Sequence, residues 1–229
     1  MAPLGSSVLA DNLASVRERI ARAASRAGRS PDAVTLVAVS KGRGVEAVQT
    51  LWRLGLRDFG ENRVQEALPK IAAAPAGVRW HLLGHLQENK INKVLPWVHM
   101  VQSIDSLQLA RALSERAQRH GRTIPVLLEV KTSDEPAKHG FDPEATSEAY
   151  GRVAELPCLE PLGLMTIAPL TDDAARLRRS FRTLRRLCER LQSFQPPPRI
   201  LSMGMSDDLE LAVQEGSTMV RVGRALLGA

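Results

Sequence analysis

Val34-Thr-Leu-Val-Ala-Val-Ser40, then Lys41-Gly-Arg-Gly44, then Val45-Glu-Ala-Val-Gln-Thr-Leu-Trp-Arg-Leu54, is the stretch that decides the fold. An apolar, β-branched run of strand length ends in a polar, glycine-broken turn and passes into a helical stretch. The same alternation continues outward along the chain. Strand-like runs recur at Leu56–Gly60, Val78–Gly84, Met100–Ile104, Ile124–Val130, Leu159–Ile167, Arg199–Met203 and Thr218–Val222, eight in all with the first. Helical stretches fall between them at Arg63–Ala74, Ser106–His120, Pro143–Leu156, Ala174–Ser193 and Asp207–Glu215, with a shorter one at Gln87–Leu95. Strands alternating with helices imply parallel β/α units. The expected fold is therefore α/β, a single (β/α)8 TIM-type barrel, with an open doubly wound sheet as the runner-up. No G-x-G-x-x-G comes after a strand, which counts against a dinucleotide fold. One more helix precedes the first strand, with Leu9, Leu13, Val16 and Ile20 on one face. Little chain remains beyond the eighth strand, so this extra N-terminal helix, within residues 1–30, is expected to pack on the barrel where an eighth helix would lie. Residues 1–229 read as one domain.

Composition narrows the classes. The chain has 229 residues, 44% hydrophobic and 24% charged, which is ordinary globular usage and excludes a collagen-like or wholly disordered chain. No apolar run approaches the roughly 20 residues that span a bilayer, and no secretory signal is visible at Met1–Ser7. Membrane association is not expected. Cys158 and Cys188 stand alone, which suits a reducing cytoplasm and excludes a thiolate zinc site. The net charge of +6 raises the question of nucleic acid. The densest basic run, Arg176–Arg190, carries Leu177, Phe181, Leu184 and Leu187 at helical spacing, so it reads as an amphipathic helix with a solvated basic face. Aromatic residues are only 3%, too few to stack a single strand, and no nucleic-acid partner is expected.

Active sites of such barrels form where the strands end. The strand ends and the turns beyond them carry Ser40-Lys41-Gly42, Glu61-Asn62, Gly84-His85, Asp105, Lys131, Met165-Thr166, Ser202-Met-Gly-Met-Ser206 and Arg221-Val-Gly-Arg224. The last two stretches suit a phosphate cup. Gly204 and Gly223 would admit backbone N–H groups to an anion, and Ser206 is placed to cap the helix beginning at Asp207. Lys41 comes directly after a strand. Burial there would leave a neutral amine able to form a Schiff base, and Lys131 is its only rival. His81 and His85 are four apart, too far along a strand to share an ion easily, so no metal is expected. A Schiff-base lysine beside a phosphate cup leaves two readings open: an aldolase-like enzyme on a phosphorylated sugar, or a site for pyridoxal 5′-phosphate (PLP), which supplies aldehyde and phosphate together.

The chain also resembles the pyridoxal phosphate homeostasis protein family, which is similar to the N-terminal barrel of alanine racemase. The stretches that carry this are Leu36-Val-Ala-Val-Ser-Lys41, Phe59-Gly-Glu-Asn-Arg-Val-Gln-Glu66, Trp80-His81 with Gly84 and Leu86-Gln87, Gly163-Leu-Met-Thr166, Leu201-Ser-Met-Gly-Met-Ser-Asp-Asp208 and Gly216-Ser-Thr-Met-Val-Arg-Val-Gly223. The resemblance implies PLP held by Lys41 as an internal aldimine, Asn62 and Met165 near the cofactor, and Ser202, Gly204, Ser206, Gly223 and position 224 around the phosphate. It places Arg221 at the pyridine nitrogen. It implies a role in PLP supply without established turnover, with apo PLP enzymes as recipients. A monomeric chain is expected. A weak amino-acid racemase is the alternative, although the single tyrosine, Tyr150, falls on an outer helix. Two departures stand out. Gly42-Arg43-Gly44 replaces the family's Thr-x-Pro-like turn, and Arg224 replaces a hydroxyl residue.

Overall fold

The computed structural model describes residues 5–133 and 139–228. The outermost residues of the 1–229 span, including the start of the 1–30 segment, therefore lie outside the described residues. Eight parallel strands close into a barrel in sequence order. They are β1 (Thr35–Val39), β2 (Asp58–Glu61), β3 (Arg79–Leu82), β4 (Val98–Ile104), β5 (Ile124–Glu129), β6 (Leu159–Met165), β7 (Ile200–Ser202) and β8 (Met219–Val222). Closure runs through four β1–β8 pairs, from Thr35 opposite Met219 to Ala38 opposite Val222. The runner-up open sheet is thereby excluded. β2 starts two residues later than its apolar run suggests, because Asp58 points inward and pairs there.

The helices are α1 (Ser6–Arg26), α2 (Val45–Arg53), α3 (Val64–Ala73), α4 (Ile91–Val94), α5 (Leu107–Arg119), α6 (Thr146–Ala154), α7 (Ala174–Arg190), α8 (Leu209–Gln214) and α9 (Arg224–Leu227). Gln87–Leu95 is not one helix but a 3-10 turn at Glu88–Lys90 leading into α4. The extra N-terminal helix does what its apolar stripe suggests. Leu9, Leu13, Val16 and Ile20 are buried in one cluster with Val222, Leu226 and Leu227. Alpha-helix α9 is too short for periodicity to reveal, and α1 lies over it, with Asn12 Nδ2 donating to Leu226 O at 3.1 Å. Among the described residues no helix is long and apolar enough to cross a membrane.

Alpha-helix α7 buries Leu177, Phe181, Leu184 and Leu187 as its stripe requires. Its basic face is not all solvated. Arg178 and Arg182 donate to Glu215 at 2.7 and 2.9 Å, and Arg185 lies 3.8 Å from the same carboxylate.

Inside the barrel, Met100, Leu127 and Met165 form a small apolar cluster. Beside it lies a run of buried polar side chains, in contrast to the all-apolar layers usual in such barrels. A chain of hydrogen bonds crosses the interior from wall to wall. His81 Nε2 meets Asp58 Oδ1 at 3.0 Å, and Gln102 Nε2 donates to His81 Nδ1 at 3.0 Å. Ser202 Oγ donates to Gln102 Oε1 at 2.7 Å, and Arg221 Nη1 donates to Ser202 Oγ at 2.7 Å. His81 is thus a structural histidine, held between Asp58 and Gln102.

Candidate cofactor site at the barrel mouth

At the C-terminal ends of the strands a cavity of about 590 Å³ opens. Beta-strand β1 delivers Lys41 to its wall, β8 delivers Arg221, and the turn into α9 delivers Gly223 and Arg224. The turn after β7 adds Met205 to Asp208, and the segment after β6 adds Ile167 to Asp172. The volume lies within the range of small-ligand pockets, and the mouth is where barrel chemistry sits.

Lys41 is exposed on this wall rather than buried, which corrects the expectation from sequence. Among the described residues no hydrogen bond or ion pair engages its Nζ. Its rival Lys131 lies 3.4 Å from Asp142 and is absent from the cavity wall. Arg221 is 5% exposed. Its Nη2 donates to Thr166 O at 2.8 Å while Nη1 holds Ser202, so the guanidinium is fixed from two sides. Burial pushes its pKa down to about 10, against the pull of Asp208 and Glu129, and it stays a cation at neutral pH.

The remaining expected residues divide. Ser206 lines the cavity, but its hydroxyl accepts from Ala225 N at 3.2 Å. It therefore caps α9, not α8, because α8 begins only at Leu209 with Asp208 before it. Gly204 has φ +97°, and a Cβ there would meet Ala212 Cβ at 2.6 Å, so this glycine serves the close approach of α8 rather than an anion. Gly223 is different. A Cβ there would make only ordinary contact with Val39, so its bareness widens the cavity. Arg224 is ion-paired with Asp207 at the rim. Asn62, Met165, Ser202 and Gly204 stand outside the cavity wall, Ser202 directly beneath Arg221.

Sequence reasoning missed four features. Ile167 to Asp172 form one wall, though they lie just past a strand end and were open to the same rule. Asp208 is buried with its pKa raised by desolvation, and its Oδ1 accepts from Met205 N at 2.5 Å, which shapes the turn. Glu129, last residue of β5, has its carboxyl pushed up to about 7 by burial and by Asp105. Beneath Lys41, Lys70 Nζ donates to Ser40 O and to Glu61 Oε1, each at 2.6 Å, and so ties the ends of β1 and β2 together.

A parallel barrel with a lone lysine after the first strand and a glycine-bounded turn after the last defines a class, and residues 12–229 match the family model described as alanine racemase, N-terminal domain. The chain belongs, within that class, to the pyridoxal phosphate homeostasis protein family. It is 42% identical over 224 residues to the Pseudomonas aeruginosa member, covering 97% of this chain and 96% of that one. The Aquifex aeolicus member is 39% identical over 220 residues, covering 95% and 96%. The solved structure of PipY from Synechococcus elongatus with PLP bound superposes with TM-score 0.83 at 38% identity, covering 96% of this chain and all of that one. Alanine racemase from Corynebacterium glutamicum, at 15% identity and TM-score 0.75 over 98% of this chain and 61% of that one, shares the fold.

Proposed function

We propose that this chain binds PLP at the barrel mouth, holds it through Lys41 as an internal aldimine, and serves intracellular PLP homeostasis by supplying it to other enzymes. The observation that carries the reading is one cavity whose wall unites an unengaged lysine amine, a fixed arginine and a bare glycine. The PLP-bound PipY structure supports it, as does the shared name of the relatives.

The cofactor contributes an aldehyde that condenses with amines and a ring that withdraws electrons. The chain's own residues do the rest. Lys41 offers the amine. Arg221, held by Ser202 and Thr166, can only donate to a pyridine nitrogen and disfavours its protonation. Gly223, Ser206 and Arg224 would receive the phosphate, with Ser202 holding Arg221 and Gly204 letting α8 approach the turn, and Asn62 and Met165 would lie near the cofactor. The chain acts as a cytoplasmic monomer, and its recipients are apo PLP enzymes.

The racemase alternative needs a second acid/base at the substrate. Tyr150 does not supply it. It is fully buried on α6, its hydroxyl is 2.7 Å from Pro161 O and 2.9 Å from Pro196 O, and burial raises its pKa. The PLP-loaded protein should restore an apo PLP enzyme faster than it releases free PLP, and should leave L-alanine in deuterated water without Cα deuterium. Sustained deuterium incorporation that vanishes in Lys41→Ala would overturn the carrier reading in favour of the racemase.

A further inference from the structure

His85, Asp105 and His139 come together on the rim of the barrel mouth, outside the cavity described above. His85 lies just after β3, Asp105 just after β4, and His139 between β5 and α6. His85 Nδ1 is 2.6 Å from Asp105 Oδ2, and His139 Nδ1 is 3.7 Å from the same oxygen. The two imidazoles are stacked, with centroids 4.4 Å apart and planes 17° from parallel. The Asp105 side chain is 6% exposed, so a nearly buried carboxylate faces two ring nitrogens that share one direction. All three ligand atoms lie within 4.8 Å of one another.

The geometry points to a binding site for one divalent transition-metal ion of the Zn²⁺ class, held by His85 Nδ1, Asp105 Oδ2 and His139 Nδ1. One divalent ion satisfies both nitrogen lone pairs and the carboxylate at once. Zinc bonds of about 2.0–2.1 Å in a tetrahedral site set ligand atoms roughly 3.3 Å apart, so His85 Nδ1 and Asp105 Oδ2, now 2.6 Å apart, part to admit the ion while His139 Nδ1, at 3.7 Å, moves in. His139, with a side chain 62% exposed, has room to make that movement.

The donor set also selects the ion. Two imidazoles and one carboxylate suit Zn²⁺, Fe²⁺, Co²⁺ or Ni²⁺, while Mg²⁺ and Ca²⁺ prefer oxygen alone. Three protein ligands leave the rest of the coordination sphere open. A cavity of about 460 Å³ flanks His85 and Asp105 and also takes in Glu88 and Gln108. Water fills the open positions, and an outside ligand has access to them. Bound metal would clamp the ends of β3 and β4 to the segment before α6.

The test is independent of the cofactor reading. Full-length chain, stripped by a chelator and free of PLP, is titrated with ZnCl2 by calorimetry. The expected result is one saturable equivalent per chain. Affinity should drop by more than about tenfold in His85→Ala and in His139→Ala, a loss that changes to outer groups alone can reach. His120→Ala, away on the end of α5, should leave it unchanged, and Mg²⁺ should not compete. The Co²⁺ form should lack a thiolate charge-transfer band, which separates this site from Cys158. Circular dichroism checks that the variants fold, and both histidines are exposed enough to be replaced. Undiminished uptake by His85→Ala/His139→Ala, a thiolate band, or the absence of a saturable equivalent would each overturn the assignment.

Discussion

Glu129 is a carboxyl whose pKa departs far from its ordinary value. Burial and Asp105 push it up to about 7 from 4.5, against the pull of Arg221. Between those two values the folded chain keeps a proton that the unfolded chain gives up. The stability from this group is complete below about pH 4.5 and is lost as the pH rises through about 7. Glu129→Gln, neutral at every pH, should therefore be roughly 1–3 kcal/mol more stable than the parent at pH 8 and no more stable at pH 4.5. Urea unfolding in the presence of a chelator reads both values, and a destabilised variant at pH 8 would refute the sign. Arg224 raises a question of competition. Its guanidinium is paired with Asp207 at an exposed rim, so a phosphate would have to share it. Arg224→Ala should weaken PLP retention by roughly twofold to fivefold, the scale of an exposed ion pair, and leave pyridoxal retention unchanged. Equal losses for both ligands, read by equilibrium dialysis, would mean that Arg224 does not meet the phosphate. The residue scale is also where the sequence was least legible. Ser202 and Gly204 share a motif with Ser206, yet only Ser206 reaches the cavity, because the turn after β7 is shaped by Asp208 and by the approach of Ala212. His85 has no partner by spacing, being too far from His81 along the strand, whereas closure of the barrel sets it beside Asp105 and His139.

At the scale of elements, α3 holds the two strand ends that present Lys41. Lys70 and Glu61 have side chains only 9% and 0% exposed, and Glu61 Oε1 also accepts from Ser40 Oγ at 2.5 Å. Glu61 Oε2 has no partner and is buried, so the pair already tolerates one unmade bond. Removing the cation alone leaves a buried anion, which costs about 3–5 kcal/mol, whereas removing both partners costs far less. Lys70→Met should lose that amount in urea unfolding, and Lys70→Met/Glu61→Leu should recover most of it. No recovery would mean that the pair is not what joins β1 to β2. The elements themselves were readable because eight buried strands leave eight apolar runs, and because amphipathic stripes such as Leu177-Phe181-Leu184 mark the helices that cover them. What escaped was short or polar. Alpha-helix α9 has four residues, fewer than any stripe can mark, and β2 opens on Asp58, which no apolar pattern includes. Nothing local in the sequence signals that Lys70, on α3, meets a carboxylate contributed by β2.

For the whole molecule, a chain of hydrogen bonds links the two ends of the barrel through its interior. Arg79 and His81 hold Asp58 at one end, and their hydrogen bonds keep its carboxyl below the ordinary range despite burial. Gln102 and Ser202 carry the chain of bonds up to Arg221 at the mouth. Every donor along it has an acceptor, so one deletion strands two buried groups. Ser202→Ala should cost about 1–3 kcal/mol, although Ser202 touches no cavity. A change within about 0.5 kcal/mol, as at an ordinary surface site, would show that the links are not coupled. The network fixes Arg221 on the wall of the same cavity that Lys41 lines. The most direct measurement is to load the chain with PLP, reduce it with borohydride, and map the modified peptide by mass spectrometry. The expected result is a single pyridoxyl group, carried on Lys41 and absent from Lys41→Ala. A pyridoxyl group on Lys131 or spread over several lysines, or one that persists at the same stoichiometry in Lys41→Ala, would contradict the account.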